Sequence, residues 1–377
     1  MSDPTLRVAL DTSFAGLNPT GVGLYSRRLA EGMAEAASSG RLALRCYGPA
    51  CCDAPGGRPL GGLYQEWPTY SQVALPLMLG AFRPSIVHST SHIGPVWGLG
   101  RRVVTVHDVI FRRYPADYNR FWLAITLALL PRVLAGASAI IADSKCTQRD
   151  LERFYGVPGR KVTVIYPGID EEYRRAIGEE RLRAILRQLG VGDGRYVLLL
   201  GPWVRRKNLG VVVEAFRALA AELPDLKLVI TGKPSMGMEG GGVTAALARL
   251  PQDVRARVLA VGHLPVENLR AVMQGAAALA YPSDFEGFGL PPLEAMAAGV
   301  PVVASDTPAV VEACGSAALI VPRGDLRAWA GALHRVVTDP ESAGELRAAG
   351  RARSAEFSWG RCVGETLDLY VRIAERA

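Results

Sequence analysis

Two glutamates, Glu286 and Glu294, are separated by seven intervening residues in the segment Tyr281-Pro282-Ser283-Asp284-Phe285-Glu286-Gly287-Phe288-Gly289-Leu290-Pro291-Pro292-Leu293-Glu294-Ala295-Met296. Gly287 and Gly289 would let the chain bring backbone N–H groups close to an anion, and a helix starting near Pro291 would aim its positive end at the same place. Glu294, in that helix's first turn, could accept hydrogen bonds from a ribose diol, and Glu286 could reach a sugar hydroxyl. Decoration of a helix N-terminus is the minority reading. A second group is Gly201-Pro202-Trp203-Val204-Arg205-Arg206-Lys207-Asn208-Leu209, directly after the apolar run Tyr196 to Leu200. Three consecutive cations at a strand-to-helix turn would neutralise a diphosphate and stabilise it as a leaving group. A solvated basic loop is the rival reading.

A third group is Val103-Val104-Thr105-Val106-His107-Asp108, a buried-strand pattern that delivers a histidine and an aspartate to its C-terminal end. His107 could hydrogen-bond a substrate hydroxyl, with Asp108 orienting a loop or capping a helix; a structural histidine fits equally well. His88 and His92 rank lower, on the loop after another strand. The fourth group, Gly21-Val22-Gly23-Leu24-Tyr25-Ser26, half resembles a dinucleotide fingerprint. The third glycine is replaced by Ser26, and the second strand ends in Cys46-Tyr47-Gly48 without an acid for a ribose, so a nicotinamide dehydrogenase is disfavoured. What remains is a flexible glycine turn before a helix over Leu24 to Ala37, able to bring N–H groups to a phosphate. A plain loop and helix start reads as well.

Elements must hold these residues. Short apolar runs alternate with helical patterns at Arg7 to Leu10, Ala43 to Tyr47, Ser85 to His88, Val103 to His107, Ala139 to Asp143 and Val162 to Tyr166. The rhythm repeats at Tyr196 to Leu200, Lys227 to Thr231, Val258 to Val261, Ala277 to Tyr281, Val302 to Ser305 and Ala318 to Val321. Most runs lack strict alternation, as parallel strands covered on both faces do. The pattern predicts two doubly wound α/β domains joined near Pro167-Gly168-Ile169-Asp170. The first covers residues 1–172 and the second 173–358, with the final helix 359–377 packing back on the first. Ligands in such sheets sit at the C-terminal strand ends, so the active site is expected in a cleft between the domains.

The 377 residues, with 43 Lys+Arg, 36 Asp+Glu and 49% hydrophobic residues, exclude disorder, collagen and a small disulfide scaffold. The longest uncharged apolar stretch, Phe121 to Pro131, is too short for a transmembrane helix. The first residues lack the pattern of a signal peptide, so a cytoplasmic location is expected. Cys46, Cys51, Cys52, Cys146, Cys314 and Cys362 form no CxxC pair and no zinc-ligand spacing, and read as reduced thiols. Residues 1–170 carry a net charge of +6 and the remainder +1. That asymmetry suits an anionic partner or a solvated basic surface, and no nucleic-acid motif accompanies it.

The segment Tyr281 to Ser305 resembles the signature of retaining GT-B glycosyltransferases of family 4, with Glu286 and Glu294 as the paired glutamates. The resemblance extends through Asp11 and the Gly21-Val22-Gly23 loop, Val106-His107-Asp108, Ala142-Asp143-Ser144, Tyr166 to Asp170, Gly201 through Arg206-Lys207-Asn208, and Ile230-Thr231-Gly232-Lys233. It implies a GT-B fold, two Rossmann-like domains facing each other across a cleft, and transfer of a sugar from a nucleotide diphosphate with retention. No cofactor and no obligatory metal are implied. Carried over, Arg206 and Lys207 hold the donor diphosphate and Glu294 the ribose. Glu286 with the Phe288-Gly289-Leu290 backbone holds the donor sugar and phosphates, Gly21, Gly23, Gly201 and Gly232 line the donor site, and His107 meets the transferred sugar. Many members carry arginine directly after the strand glycine, where this chain has Pro202, so that role passes to Arg206 or Arg205. The TGVGLYS opening and the Arg206-Lys207-Asn208 wording resemble the mannosyltransferase-like branch.

The resemblance thus implies a hexosyltransferase, mannose favoured and the donor GDP- or UDP-linked, acting in polysaccharide biosynthesis on a glycan, lipid-linked or small-molecule acceptor. A sugar-nucleotide epimerase or glycosyl phosphorylase on a similar fold, or a non-catalytic sugar-nucleotide binding protein, are the rivals. The basic first half and the run Phe121 to Leu127 suggest peripheral contact with the inner face of a membrane, while a core helix is the favoured reading of that run. No nucleic-acid partner is expected.

Overall fold

The computed structural model describes residues 6–15, 21–48, 68–233 and 242–375. Two compact units emerge, one formed by the chain up to Gly168 together with the segment from Phe357 on, the other by Ile169–Glu356. Each is built on a six-stranded sheet, all parallel.

The first sheet contains β1 (Arg7–Asp11), β2 (Ala43–Tyr47), β3 (Ile86–Ser89), β4 (Arg101–Val106), β5 (Ala139–Ala142) and β6 (Val162–Val164), in the order β2-β1-β3-β4-β5-β6. The second contains β7 (Tyr196–Leu199), β8 (Lys227–Thr231), β9 (Val258–Gly262), β10 (Ala278–Tyr281), β11 (Val302–Ser305) and β12 (Leu319–Val321), in the order β12-β11-β10-β7-β8-β9. All twelve expected runs are strands, with ends shifted by at most two residues. Their burial explains the weak alternation: β3, β5, β7, β10 and β11 are buried at every position, so no face needs polar residues.

The direction of winding reverses between β1 and β3 in the first sheet and between β7 and β10 in the second. At such a reversal, adjacent crossovers leave on opposite faces and open a crevice at the C-terminal strand ends. The segments singled out for chemistry follow β1, β4, β7 and β10, so the topology carries them to those ends.

The C-terminal helix Trp359–Glu375 belongs to the first unit. Its Cys362, Val363, Leu367, Tyr370 and Ile373 share a core with Val8, Leu10, Leu29 and Met33. Gly168 sits beneath that helix's start, where a Cβ would stand 2.2 Å from the Trp359 backbone nitrogen. A Gly168→Ala variant is therefore expected to lose about 1–3 kcal/mol of stability from overpacking. Gly364→Ala, in the same helix with open space around the added methyl, should instead gain up to about 1 kcal/mol from helix propensity. Denaturant unfolding that moved both variants alike would refute the packing argument.

Two expectations are refined. Gly21 and Gly23 lie inside the first turn of the helix Gly21–Ser38, rather than in a loop before it, because the helical pattern extends three residues further back than the apolar periodicity suggested. The run from Phe121 lies in the helix Arg120–Gly136, which buries Thr126, Leu130, Val133 and Leu134 and leaves Phe121 exposed at 74%. It is thus a surface helix with one face in the core. Among the described residues no helix is long and apolar enough to cross a membrane, and Cys46, Cys146, Cys314 and Cys362 are buried and form no disulfide. Cys51 and Cys52 lie outside the described residues.

Candidate active site

In the second unit, β7 ends at Leu199 and the chain turns through Gly201, whose φ of +131° suits glycine. A short turn, Arg205–Lys207, follows, and Asn208, at φ +47°, redirects the chain into the helix Leu209–Glu222. The neighbouring loop after β8 packs against Gly201 so closely that a Cβ on Gly232, itself at φ +75°, would stand 2.1 Å from the Gly201 carbonyl oxygen. The loop after β10 is tied in on two sides. Asp284 N donates to the Arg206 carbonyl at 2.8 Å, and the hydroxyls of Ser305 and Thr307 donate to the Ser283 carbonyl, each at 2.5 Å. Asn208 Nδ2 adds a bond to Asp284 Oδ1 at 3.0 Å.

This framework brings Lys207 and Glu286 together. Lys207 Nζ donates to Glu286 Oε1 at 2.6 Å and to the Tyr281 hydroxyl at 2.8 Å, lying 4.8 Å from that ring's centroid. Arg206 Nη1 stands 3.5 Å from Glu286 Oε2. Both members of the close pair are buried. Burial pushes Glu286 up, but the charges of Lys207 and Arg206 prevail and hold its carboxyl below the usual range. Burial lowers the Lys207 ammonium, and the like charge of Arg206 adds to this against the pull of Glu286. With two cations to one carboxylate, the cluster keeps a net charge of +1 beside a glycine turn.

That turn closes the site. Gly289, at φ +122°, caps the helix Leu290–Ala297, and Pro291 and Pro292 fall in its first turn, where no intrahelical N–H is required. Phe288 is buried. Glu294 is the fifth helical residue, one position beyond the expected first turn, and is half-buried. Burial, with the nearby charge of Asp170, raises its carboxyl to about 7 against a hydrogen bond with Tyr173 that lowers it.

In the first unit His107 stands one residue beyond β4, buried, with Nδ1 2.6 Å from Asp143 Oδ2 and Nε2 2.9 Å from the Thr90 carbonyl oxygen. Asp108 takes one of the two roles expected of it and caps the next turn, accepting from Ile110 N at 3.0 Å, while the carboxylate beside the ring is that of Asp143. His88 lies within β3, not on a loop, with Nδ1 2.5 Å from the Tyr370 hydroxyl and Nε2 2.8 Å from Thr105 Oγ1. It is a core histidine, lowered by burial to about 3. His92 packs beside Phe111 and Trp122, and burial lowers it to about 4.

The residues from 183 to 353 match the model of glycosyl transferases group 1, and those from 19 to 173 match that of glycosyltransferase family 4. Together the two matches take in most of each unit, while the segment from Phe357 on lies outside them. The chain belongs to the family 4 glycosyltransferases. Among its relatives are the O-antigen chain mannosyltransferase B of Escherichia coli, 27% identical over 72% of this glycosyltransferase and 70% of that protein. The D-inositol 3-phosphate glycosyltransferase of Jonesia denitrificans is 30% identical over 64% of this chain and 58% of its own. This chain therefore spans less than two thirds of the latter. The fold is that of sucrose-phosphate synthase from Thermosynechococcus elongatus, with a TM-score of 0.74, 21% identity, and 99% and 100% of the two chains covered.

Of the residues expected in the glycosyltransferase's site, Gly201, Arg206, Lys207, Gly232, Glu286, Phe288, Gly289, Leu290 and Glu294 lie in the second unit, while Gly21, Gly23 and His107 lie in the first. Of the two candidate arginines, Arg206 reaches Glu286, whereas Arg205 is exposed. Three functional neighbours went unassigned in the sequence. Tyr281 and Tyr173 are aromatic residues that read as core or loop, with nothing nearby to mark their hydroxyls. Asp143 carried a signal: in the β4–β5 register Val106 faces Ala142, so the next residues of the two chains, His107 and Asp143, emerge side by side.

Proposed function

We propose that this glycosyltransferase moves a hexose, mannose favoured, from a nucleotide-diphosphate sugar to a hydroxyl of a glycan, lipid-linked or small-molecule acceptor. The anomeric configuration is retained and no metal is required. The observation that carries this reading is the net positive Arg206-Lys207-Glu286 cluster at the reversal between β7 and β10, beside the Gly287–Gly289 turn. The cations would neutralise the leaving diphosphate as its bond to the anomeric carbon breaks. Glu286 would accept from a sugar hydroxyl, Glu294 would accept from the ribose diol, and among the described residues no further carboxylate is assigned as a nucleophile. A front-face reaction follows, in which the departing phosphate oxygen takes the acceptor's proton. The relative that transfers mannose supports the donor preference.

A thermal-shift titration with GDP, UDP, TDP, ADP and CMP, without and with Mg²⁺, tests the donor class, because a ligand of the folded state raises apparent stability by mass action. One diphosphate is expected to stabilise the protein without metal; no response to any of them would remove the reading. Proton NMR of the new glycosidic bond tests retention. Glu294 makes a further expectation. Ribose hydroxyls donate best to the ionised carboxylate, so nucleotide binding should tighten by up to about tenfold between about pH 6 and pH 8, through the carboxyl at about 7. In Glu294→Gln that component should vanish; calorimetry showing the same pH dependence in both proteins would exclude the ribose role.

The acceptor side is read from the first unit. Phe121 projects from the helix Arg120–Gly136, and Arg112, Arg113 and Arg153 each lie within 6 Å of the Phe154 ring. An apolar projection and exposed cations in this unit support peripheral contact with an anionic bilayer. Flotation with anionic vesicles at low salt should recover the protein, and its absence there would remove the membrane reading.

A further inference from the structure

The surroundings of His107 dictate its protonation. One ring nitrogen faces a carboxylate oxygen at 2.6 Å and the other a backbone carbonyl oxygen at 2.9 Å. An ionised carboxylate and a peptide carbonyl can only accept. A neutral imidazole has one N–H, so whichever nitrogen lacked it would set lone pair against lone pair. Two protons are needed across the two contacts, and the raised basicity of His107 beside the Asp143 carboxylate puts both on the ring. His88 is the internal contrast: its neighbours are the hydroxyls of Tyr370 and Thr105, which donate or accept as required, so a neutral ring satisfies them.

Thr90 and the His107 backbone are themselves held by hydrogen bonds. The Thr90 hydroxyl donates to the Asp11 carbonyl at 2.8 Å and meets Ser26 at 2.6 Å, and the Thr147 hydroxyl donates to the carbonyl of His107 itself at 2.9 Å. The Tyr25 ring stands edge-on, 4.9 Å away. The titratable and charged groups facing this corner are Asp143 from the end of β5, Asp108 from the following loop, and His88 and His92 from β3 and its loop. Tyr25 comes from the first helix, and Cys362 and Tyr370 from the last.

We propose that Asp143 holds His107 as an imidazolium, so that the side chain at the end of β4 is a fixed positive charge and hydrogen-bond donor and cannot act as the base that deprotonates an acceptor hydroxyl. Asp143 is then a positioning residue. Burial works against the charged ring, but the charge and hydrogen bond of Asp143, with the Thr90 carbonyl and Asp108, outweigh it and raise His107 above the ordinary histidine value. In turnover, a role that rests on the glycosyltransferase reading, the ring keeps its protons. The acceptor oxygen bonds to the anomeric carbon as the carbon–phosphate oxygen bond breaks, and the acceptor's proton passes to that phosphate oxygen.

The test is made first on the ligand-free full chain labelled with ¹⁵N-histidine, the His107 signals being those lost in His107→Gln. Both ring nitrogens are expected to be protonated at neutral pH, with a midpoint above the free-histidine value of about 6.5. In Asp143→Asn the midpoint should fall below that value, and the alkaline limb of kcat should move to lower pH while KM for the donor holds. A neutral His107 tautomer at neutral pH, a proton on Asp143 in place of Nδ1, or a midpoint unmoved in Asp143→Asn would overturn the proposal. If Asp143→Asn does not fold, the spectrum of the unaltered protein decides alone. An imidazolium in a protein that transfers no sugar would leave this inference standing and remove the glycosyltransferase mechanism.

Discussion

Lys207→Ala is expected to weaken nucleoside diphosphate binding by about 10- to 150-fold, the loss of one charge-assisted hydrogen bond worth about 1.5–3 kcal/mol. The ammonium is buried between the Glu286 carboxylate and the Tyr281 hydroxyl, so its position costs no side-chain ordering when the ligand arrives. Its removal leaves Glu286 with Arg206, at 3.5 Å, and that remaining cation limits the damage to stability. Without Lys207 the carboxyl of Glu286 should rise, because the largest of the two charges holding it down is gone. Isothermal titration with the diphosphate that stabilises the protein best reads the effect directly. Affinity within about threefold of the unaltered protein would mean that Lys207 serves the fold of this loop and not the diphosphate.

The fold was legible because each sheet is a stack of buried parallel strands. Runs such as Val302-Val303-Ala304-Ser305 need no polar face and show up as uninterrupted apolar segments between turn residues. The order of strands was less legible. That β10 lies beside β7 while β8 and β9 lie on its other side depends on packing between elements some eighty residues apart, and no local pattern records it. The same limit applied to the site. Arg206, Lys207, Glu286 and Glu294 could be singled out as candidates because charge beside glycine at a strand end is a local signal. The partners were missed where the signal was spatial: Tyr173 reaches Glu294 across about 120 residues, and Asp143 reaches His107 across 36. Asp108, by contrast, was legible as a cap because its partner, Ile110 N, is two residues away. Adjacency in sequence is separation on a strand, and the carboxylate that meets the ring came from the neighbouring strand at the same register.

Glu286→Gln should separate donor diphosphate affinity from turnover, which Lys207→Ala cannot do. The glutamate is the negative member of a three-charge cluster, and taking its charge away leaves Lys207 and Arg206 close together with a net charge of +2. In the ligand-free protein this is unfavourable: removing one partner of a buried pair costs about 3–5 kcal/mol, because the remaining charge stays desolvated. A bound diphosphate restores the missing negative charge. The variant is therefore expected to melt earlier alone, to gain more from the diphosphate than the unaltered protein does, and to bind it at least as tightly. Turnover should still fall by about 10- to 150-fold, since the amide replaces a charged acceptor by a neutral one at the sugar hydroxyl. The two readouts move in opposite directions only if Glu286 addresses the sugar while the cations address the phosphates. Diphosphate affinity that dropped in step with turnover would show that Glu286 instead organises the cations, and its place in the mechanism would move from the sugar to the leaving group.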